Sequence, residues 1–147
     1  MPAAVINVHP YETLTLPDGG QADIDLDMVP LVRALWTLGL RTAGCCQDLG
    51  ESVIAERRPE ETGRRRHADY LLGRAWLKMP SPDAMSMLSL LAERPHFAER
   101  FGRWTHPDAW DNYVYLLPGE NGTQLSPWAQ IHFPKPQLAE VIEALAH

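Results

Sequence analysis

Apolar and polar positions repeat with two different periods along this chain. From Ala4 to Asp25 the period is short. VINV and TLTL are β-branched or alternating, HPY interrupts them, and Asp18-Gly19-Gly20 supplies a turn. The period then lengthens. Met28, Leu31, Val32, Leu35 and Leu38 fall on one helical stripe, which predicts a helix over about 27–38. Asp27 is its expected N-cap, Pro30 sits in the first turn, and Gly39 lies past the end. Leu40–Gln47 follows as a buried strand.

Asp69–Met79 predicts a long strand with two unlike faces. Leu71, Gly73, Ala75, Leu77 and Met79 share one; Tyr70, Leu72, Arg74, Trp76 and Lys78 share the other. Ser81-Pro82-Asp83 opens a helix with Ser81 as cap, running to about Glu93, and Pro95 precedes a short helical turn through Phe101. Asn112–Leu117 and Trp128–Phe133 read as strands around a PGENG turn. The last helix covers about 136–146, with Leu138, Val141, Ile142 and Leu145 facing inward. This order predicts an α+β fold: a mixed, mainly antiparallel sheet with helices on one face, a ferredoxin-like variant.

Two further segments are polar. The tract 50–69 lacks periodicity and is expected to be a flexible loop within a single domain spanning 1–147. The loop 103–113 carries Trp104, His106 and Trp110, a composition suited to a lid or to core anchoring.

The strand parity has a chemical consequence. If the aliphatic faces lie under the helices, the other face displays Arg74, Trp76, Tyr113, Tyr115, Gln130 and His132, with Trp128 and Lys78 beside them. Flat rings and a guanidinium offer stacking and cation–π contacts to a planar ligand.

The 147 residues carry a formal charge of −6, unevenly spread. The only basic stretch is the middle one, where Arg57, Arg58, Arg64, Arg65 and Arg66 cluster beside His67. The acidic balance disfavours broad adhesion to extended nucleic acid or anionic lipid. No apolar run approaches the roughly 18 residues a membrane span requires, and the opening MPAAVINVHP has no signal-peptide pattern. A cytoplasmic setting is expected. Walker, GxGxxG and GxSxG motifs do not occur.

Cys45 and Cys46 are the only cysteines, and neighbours in sequence make strained disulfides. They lie in TAGCCQD, at a strand end, and alternation sends their side chains to opposite faces. A thiol there is a candidate nucleophile, with His67, His106 and His132 as candidate bases. Asp23, Asp25 and Asp27 alternate and would share a face suited to Mg²⁺ or Ca²⁺, but the histidines show no HxH or HxxxH spacing. No metal ligand is assigned and the cofactor is unknown.

The segment DIDLDMVPLVRALWTLGLRTAGCCQD (23–48) resembles a pattern in small bacterial and phage proteins. There an acidic residue precedes a helix and strand ending in Ser-Cys-Glu/Gln-Gly. More distantly it is similar to the wybutosine-synthesis methyltransferase family of tRNA modification. In that register Thr42 and Cys46 match the family's Thr and Cys, whereas its Gly-Arg falls on Asp48 and Leu49. The resemblance implies the helix–strand placement and selects Cys46 over Cys45.

These readings converge on a compact planar or nucleotide-like ligand bound on an open sheet face. Arg74, Trp76, Tyr113, Tyr115, Gln130 and His132 are the expected contacts, with Cys46 and Gln47 at the rim. The alternatives are an enzyme using Cys46 with His132 or His106 as base, and a homodimeric interaction module.

Overall fold

A computed structural model describes residues 8–55, 70–103 and 108–146. The turn at Pro17–Gly19 closes a hairpin of β1 (Tyr11–Thr15) and β2 (Gln21–Asp25), in which Tyr11 pairs with Asp25. The expected strand residues 4–7 lie outside the described residues, as do the arginine cluster, His67, Trp104 and His106.

A 3₁₀ turn (Leu26–Met28) leads into α1 (Val29–Thr37). Asp27 is not its N-cap. Met28 occupies that position with no side-chain cap, and the Asp27 carboxylate instead meets Lys135 Nζ at 3.0 Å. The C-terminus follows the expected glycine rule. Gly39 has φ +77°, its N–H donates to Trp36 O at 2.9 Å, and Leu40 N–H donates to Leu35 O at 2.9 Å. Both bonds form a Schellman motif that satisfies the last carbonyls of the helix. Leu31, Val32 and Leu35 are fully buried, but Leu38, expected in the same stripe, is 44% exposed beyond the last turn.

The segment expected to be one strand over 40–47 forms only three strand residues, β3 (Gly44–Cys46). Its entry is held by other bonds. Asp83 accepts the Arg41 N–H at 2.6 Å, and Trp36 Nε1 donates to Thr42 Oγ1 at 3.0 Å. The start of the expected 50–69 loop is helical: α2 spans Leu49–Ala55. Asp48 caps it, accepting Glu51 N–H at 3.1 Å through Oδ1. The same carboxylate accepts Gly73 N–H at 3.0 Å, pinning the entry to the next strand.

That strand, β4 (Arg74–Pro80), begins later than expected. Residues 70 and 71 are helical, and Gly73 turns the chain at φ +74°. There follow α3 (Ser81–Ala92), α4 (Pro95–Phe101), β5 (Asp111–Gly119), β6 (Gly122–Pro134), a 3₁₀ turn (Lys135–Gln137) and α5 (Leu138–Ala146). Ser81 makes no capping bond; its hydroxyl donates to Pro127 O at 3.2 Å.

The sheet order is β3–β4–β6–β5, with every pairing antiparallel. Strands β4 and β5 therefore run parallel with β6 between them, joined through α3 and α4 as in a split β–α–β unit. This is the expected α+β class. Leu77, Met79, Ala129, Ile131 and Phe133 are buried in one core with the apolar sides of α1, α3 and α5. Each fully buried aliphatic or aromatic side chain contributes about 1.5–3 kcal/mol of transfer free energy.

Candidate functional site

Register decides which side chains share the face away from that core. Cys46 pairs with Trp76, Trp76 with His132, and His132 with Asp111. The next row on the same face is Gly44, Lys78, Gln130 and Tyr113. Cys45 belongs to the opposite row with Leu77 and packs against the core, so the two thiols do diverge.

Within this face the expected ligand residues divide into two groups. Trp76 lies close above Gly44, and its Nε1 donates to Gln130 Oε1 at 2.7 Å. A Cβ at position 44 would come within 3.1 Å of the Trp76 ring, so the glycine is what admits the indole. Lys78 Nζ stands 5.6 Å from the Trp128 ring centroid. In this half the side chains engage one another.

The other half opens into a cleft of about 750 Å³, lined on its aromatic side by Tyr70, Phe101, Trp110, Tyr113 and Tyr115. The Tyr113 and Tyr115 rings meet edge to face at 5.3 Å. Trp110 forms the floor, stacked on Phe133 at 4.6 Å, with Nε1 donating to Gln137 Oε1 at 2.7 Å. Two polar groups converge there. Tyr113 Oη meets His132 Nε2 at 2.9 Å. Burial, reinforced by the Tyr115 hydroxyl, holds the Tyr113 phenol well above its ordinary range, so it stays a donor. The second group is Asp111, whose Oδ2 accepts from Arg74 at 3.1 Å and from Tyr70 Oη at 3.4 Å.

Arg74 is not displayed as the alternation suggested. It is 3% exposed and donates through Nη2 to Ala109 O at 2.6 Å and His132 O at 3.3 Å, besides Asp111. Burial draws its guanidinium below the usual range, with Asp111 opposing. Its place is beneath the cleft, where it fixes Asp111. Arg103, at the rim, is engaged by Asp108 at 2.7 Å and Glu99 at 2.8 Å.

A second constellation surrounds Cys46. His9, just before β1, directs Nδ1 at Asp25 Oδ2 (3.0 Å) and lies 3.8 Å from Cys46 Sγ through the same nitrogen. Its Nε2 faces Glu51 Oε2 at 3.2 Å. Ser52 Oγ stands 3.0 Å from Cys46 Sγ, and Gln47 N–H donates to Asp25 Oδ2 at 2.9 Å. His9 and Cys46 are 7% and 6% exposed. Burial pushes the Cys46 thiol up to about 11, while its bond with Ser52 pulls the other way, and burial pushes Cys45 to about 12.

The ring beside Cys46 is therefore His9 and not His132, which lies across the β4 strand and is held by Tyr113. His106, the other expected base, lies outside the described residues. Gln47 contributes its backbone N–H to Asp25, and its side chain accepts Asp27 N–H at 3.2 Å. Of the alternating aspartates, Asp23 accepts from Thr13 Oγ1 at 2.7 Å and Asp27 pairs with Lys135, so only Asp25 joins the cysteine. The sequence held a signal for His9. A hairpin closing at Asp18-Gly19 pairs Tyr11 with Asp25, which brings the residue two before Tyr11 alongside the end of β2.

No protein-family model matches this chain, and neither a curated protein nor a solved structure matches it.

Proposed function

We propose that this protein binds a compact planar heterocycle, of nucleobase or nucleoside type, in the cleft over β5 and β6. The observation that carries the reading is the convergence of exposed tyrosine rings on an anchored carboxylate. Tyr70, Tyr113 and Tyr115 supply stacking faces, while Asp111 presents acceptor oxygens to ring N–H or amino donors. The buried Arg74 holds that carboxylate in place, so little ordering remains to be done on binding. Its volume of about 750 Å³ is within the ordinary range for small-molecule sites. Arg103 is already paired with two carboxylates, which argues for recognition through the base and against a phosphate clamp.

Equilibrium titration with adenosine, guanosine, cytidine and uridine tests this, using calorimetry as the readout. Saturable binding of at least one nucleoside is expected. Tyr113→Ala and Tyr115→Ala should each weaken it by about 1–3 kcal/mol, roughly 5- to 150-fold. Absence of saturable binding, or titrations unmoved by both variants, would sink the proposal.

The homodimer reading rests on a different feature. Leu116 and Leu125 pair across the β5–β6 hairpin and are 68% and 67% exposed. The cleft combines rings with oriented polar groups, which that apolar pair lacks, and is the stronger reading.

A further inference from the structure

The cysteine constellation differs from a hydrogen-bond relay in one respect. In a nucleophile–base–orienter chain the thiol and the carboxylate approach opposite nitrogens of the imidazole. Here Cys46 Sγ and Asp25 Oδ2 both approach Nδ1, and the three candidate donor atoms lie within 4.8 Å of one another. Three donors of unlike chemistry thus lie within reach of one ion. We propose that His9 Nδ1, the Asp25 carboxylate and Cys46 Sγ form a binding site for a zinc-like divalent transition metal.

The dimensions agree with that chemistry. Bonds of about 2.0 Å to nitrogen and oxygen and about 2.3 Å to sulfur, set tetrahedrally, separate N from O by about 3.3 Å and N from S by about 3.5 Å. The present separations are 3.0 Å and 3.8 Å, so small side-chain adjustments of opposite sense bring both to the metal-bound values. A thiolate and a carboxylate together neutralise a divalent ion, which suits a place where His9 and Cys46 are buried. Soft sulfur with imidazole selects zinc-type ions over Mg²⁺ or Ca²⁺, which take oxygen donors.

The surroundings supply the outer partners such a centre uses. Glu51 sits on His9 Nε2 at 3.2 Å, where it fixes Nδ1 as the metal-facing nitrogen. Gln47 N–H orients Asp25, and Ser52 Oγ lies beside the sulfur. The donors come from before β1, the end of β2 and the end of β3, and Glu51 comes from α2. One ion would thus tie the hairpin to the sheet edge. Three protein donors leave a fourth tetrahedral position for water or another ligand, the pattern of catalytic zinc centres rather than closed structural ones.

The test uses the full chain, stripped with a chelator and titrated calorimetrically with Zn²⁺, and in parallel with Co²⁺ followed by absorption. One equivalent of Zn²⁺ should bind and raise the melting temperature. Co²⁺ should give the intense near-ultraviolet band of sulfur-to-cobalt charge transfer together with tetrahedral visible bands. Cys46→Ser should abolish the sulfur band, whereas Cys45→Ala should retain it. Glu51→Gln, a mild change on an exposed side chain, should lower Zn²⁺ affinity about 10- to 100-fold while leaving the sulfur band intact. The proposal fails if no stoichiometric Zn²⁺ binds, if the cobalt form lacks the sulfur band, or if folded Cys46→Ser binds Zn²⁺ as the parent does. Nucleoside titration of the stripped protein is a separate measurement, so the cleft and the metal site stand or fall independently.

Discussion

Replacing Asp111 by alanine removes the carboxylate that faces a buried guanidinium. Arg74 is 3% exposed and its Nη2 lies 3.1 Å from Asp111 Oδ2; the aspartate side chain is 31% exposed. Breaking a fully buried ion pair by deleting one partner costs about 3–5 kcal/mol, because the other charge stays out of water. Asp111 is reached by solvent on one side, so its Coulomb contribution is screened. Ala109 O and His132 O continue to accept from Arg74. Both effects reduce the expected cost to about 2–3 kcal/mol. For a chain of this length that lowers the melting temperature by roughly 5–10 °C. Urea unfolding followed by circular dichroism measures the loss, and Arg74→Met combined with Asp111→Ala completes a double-mutant cycle. The double variant should be less destabilised than the sum of the singles, because it leaves no buried charge behind. A change under about 0.5 kcal/mol for Asp111→Ala, or strict additivity, would show that the pair does not carry the charge balance beneath the cleft.

Two other predictions concern titration and reactivity. Asp83 accepts from the Arg41 guanidinium and from the Arg41 backbone N–H, which hold its carboxyl below the ordinary aspartate value of 3.8. A depressed folded-state value contributes stability above about 3.8 that is lost as pH falls through the folded value. Asp83→Asn should therefore destabilise at pH 7 and converge with the parent towards pH 2 in thermal melts; a gap that persists at pH 2 would contradict this. In metal-free protein, burial pushes Cys46 to about 11 and Cys45 to about 12. Iodoacetamide at pH 7 should then alkylate either thiol at least about a hundredfold more slowly than free cysteine, as read by mass spectrometry. Fast modification of Cys46 would instead favour the nucleophile reading.

Local order in the sequence determined a good deal. Gly39 after an apolar stripe ends α1, because only a residue at ease with positive φ closes the Schellman turn. Alternation placed Leu77, Ile131 and Phe133 under the helices and Trp76, Gln130 and Tyr113 on the other face, since strand side chains must diverge. The same rule separated Cys45 from Cys46. Three things depended on tertiary structure. Arg74 has the right parity for display, yet the chain around Ala109 and Asp111 covers it, and covering is a property of distant segments. The polar tract after Cys46 lacked an apolar period, so α2 depends on the Asp48 cap and on the contacts of Glu51 and Ser52. Sequence alone offers histidines 67, 106 and 132 as partners of Cys46, but the ring beside it is that of His9, 37 residues before it. Proximity of that kind is set by how a hairpin docks on a sheet edge. Pairing of strands within the hairpin is written in its turn, while the docking is decided by burial summed over the whole molecule.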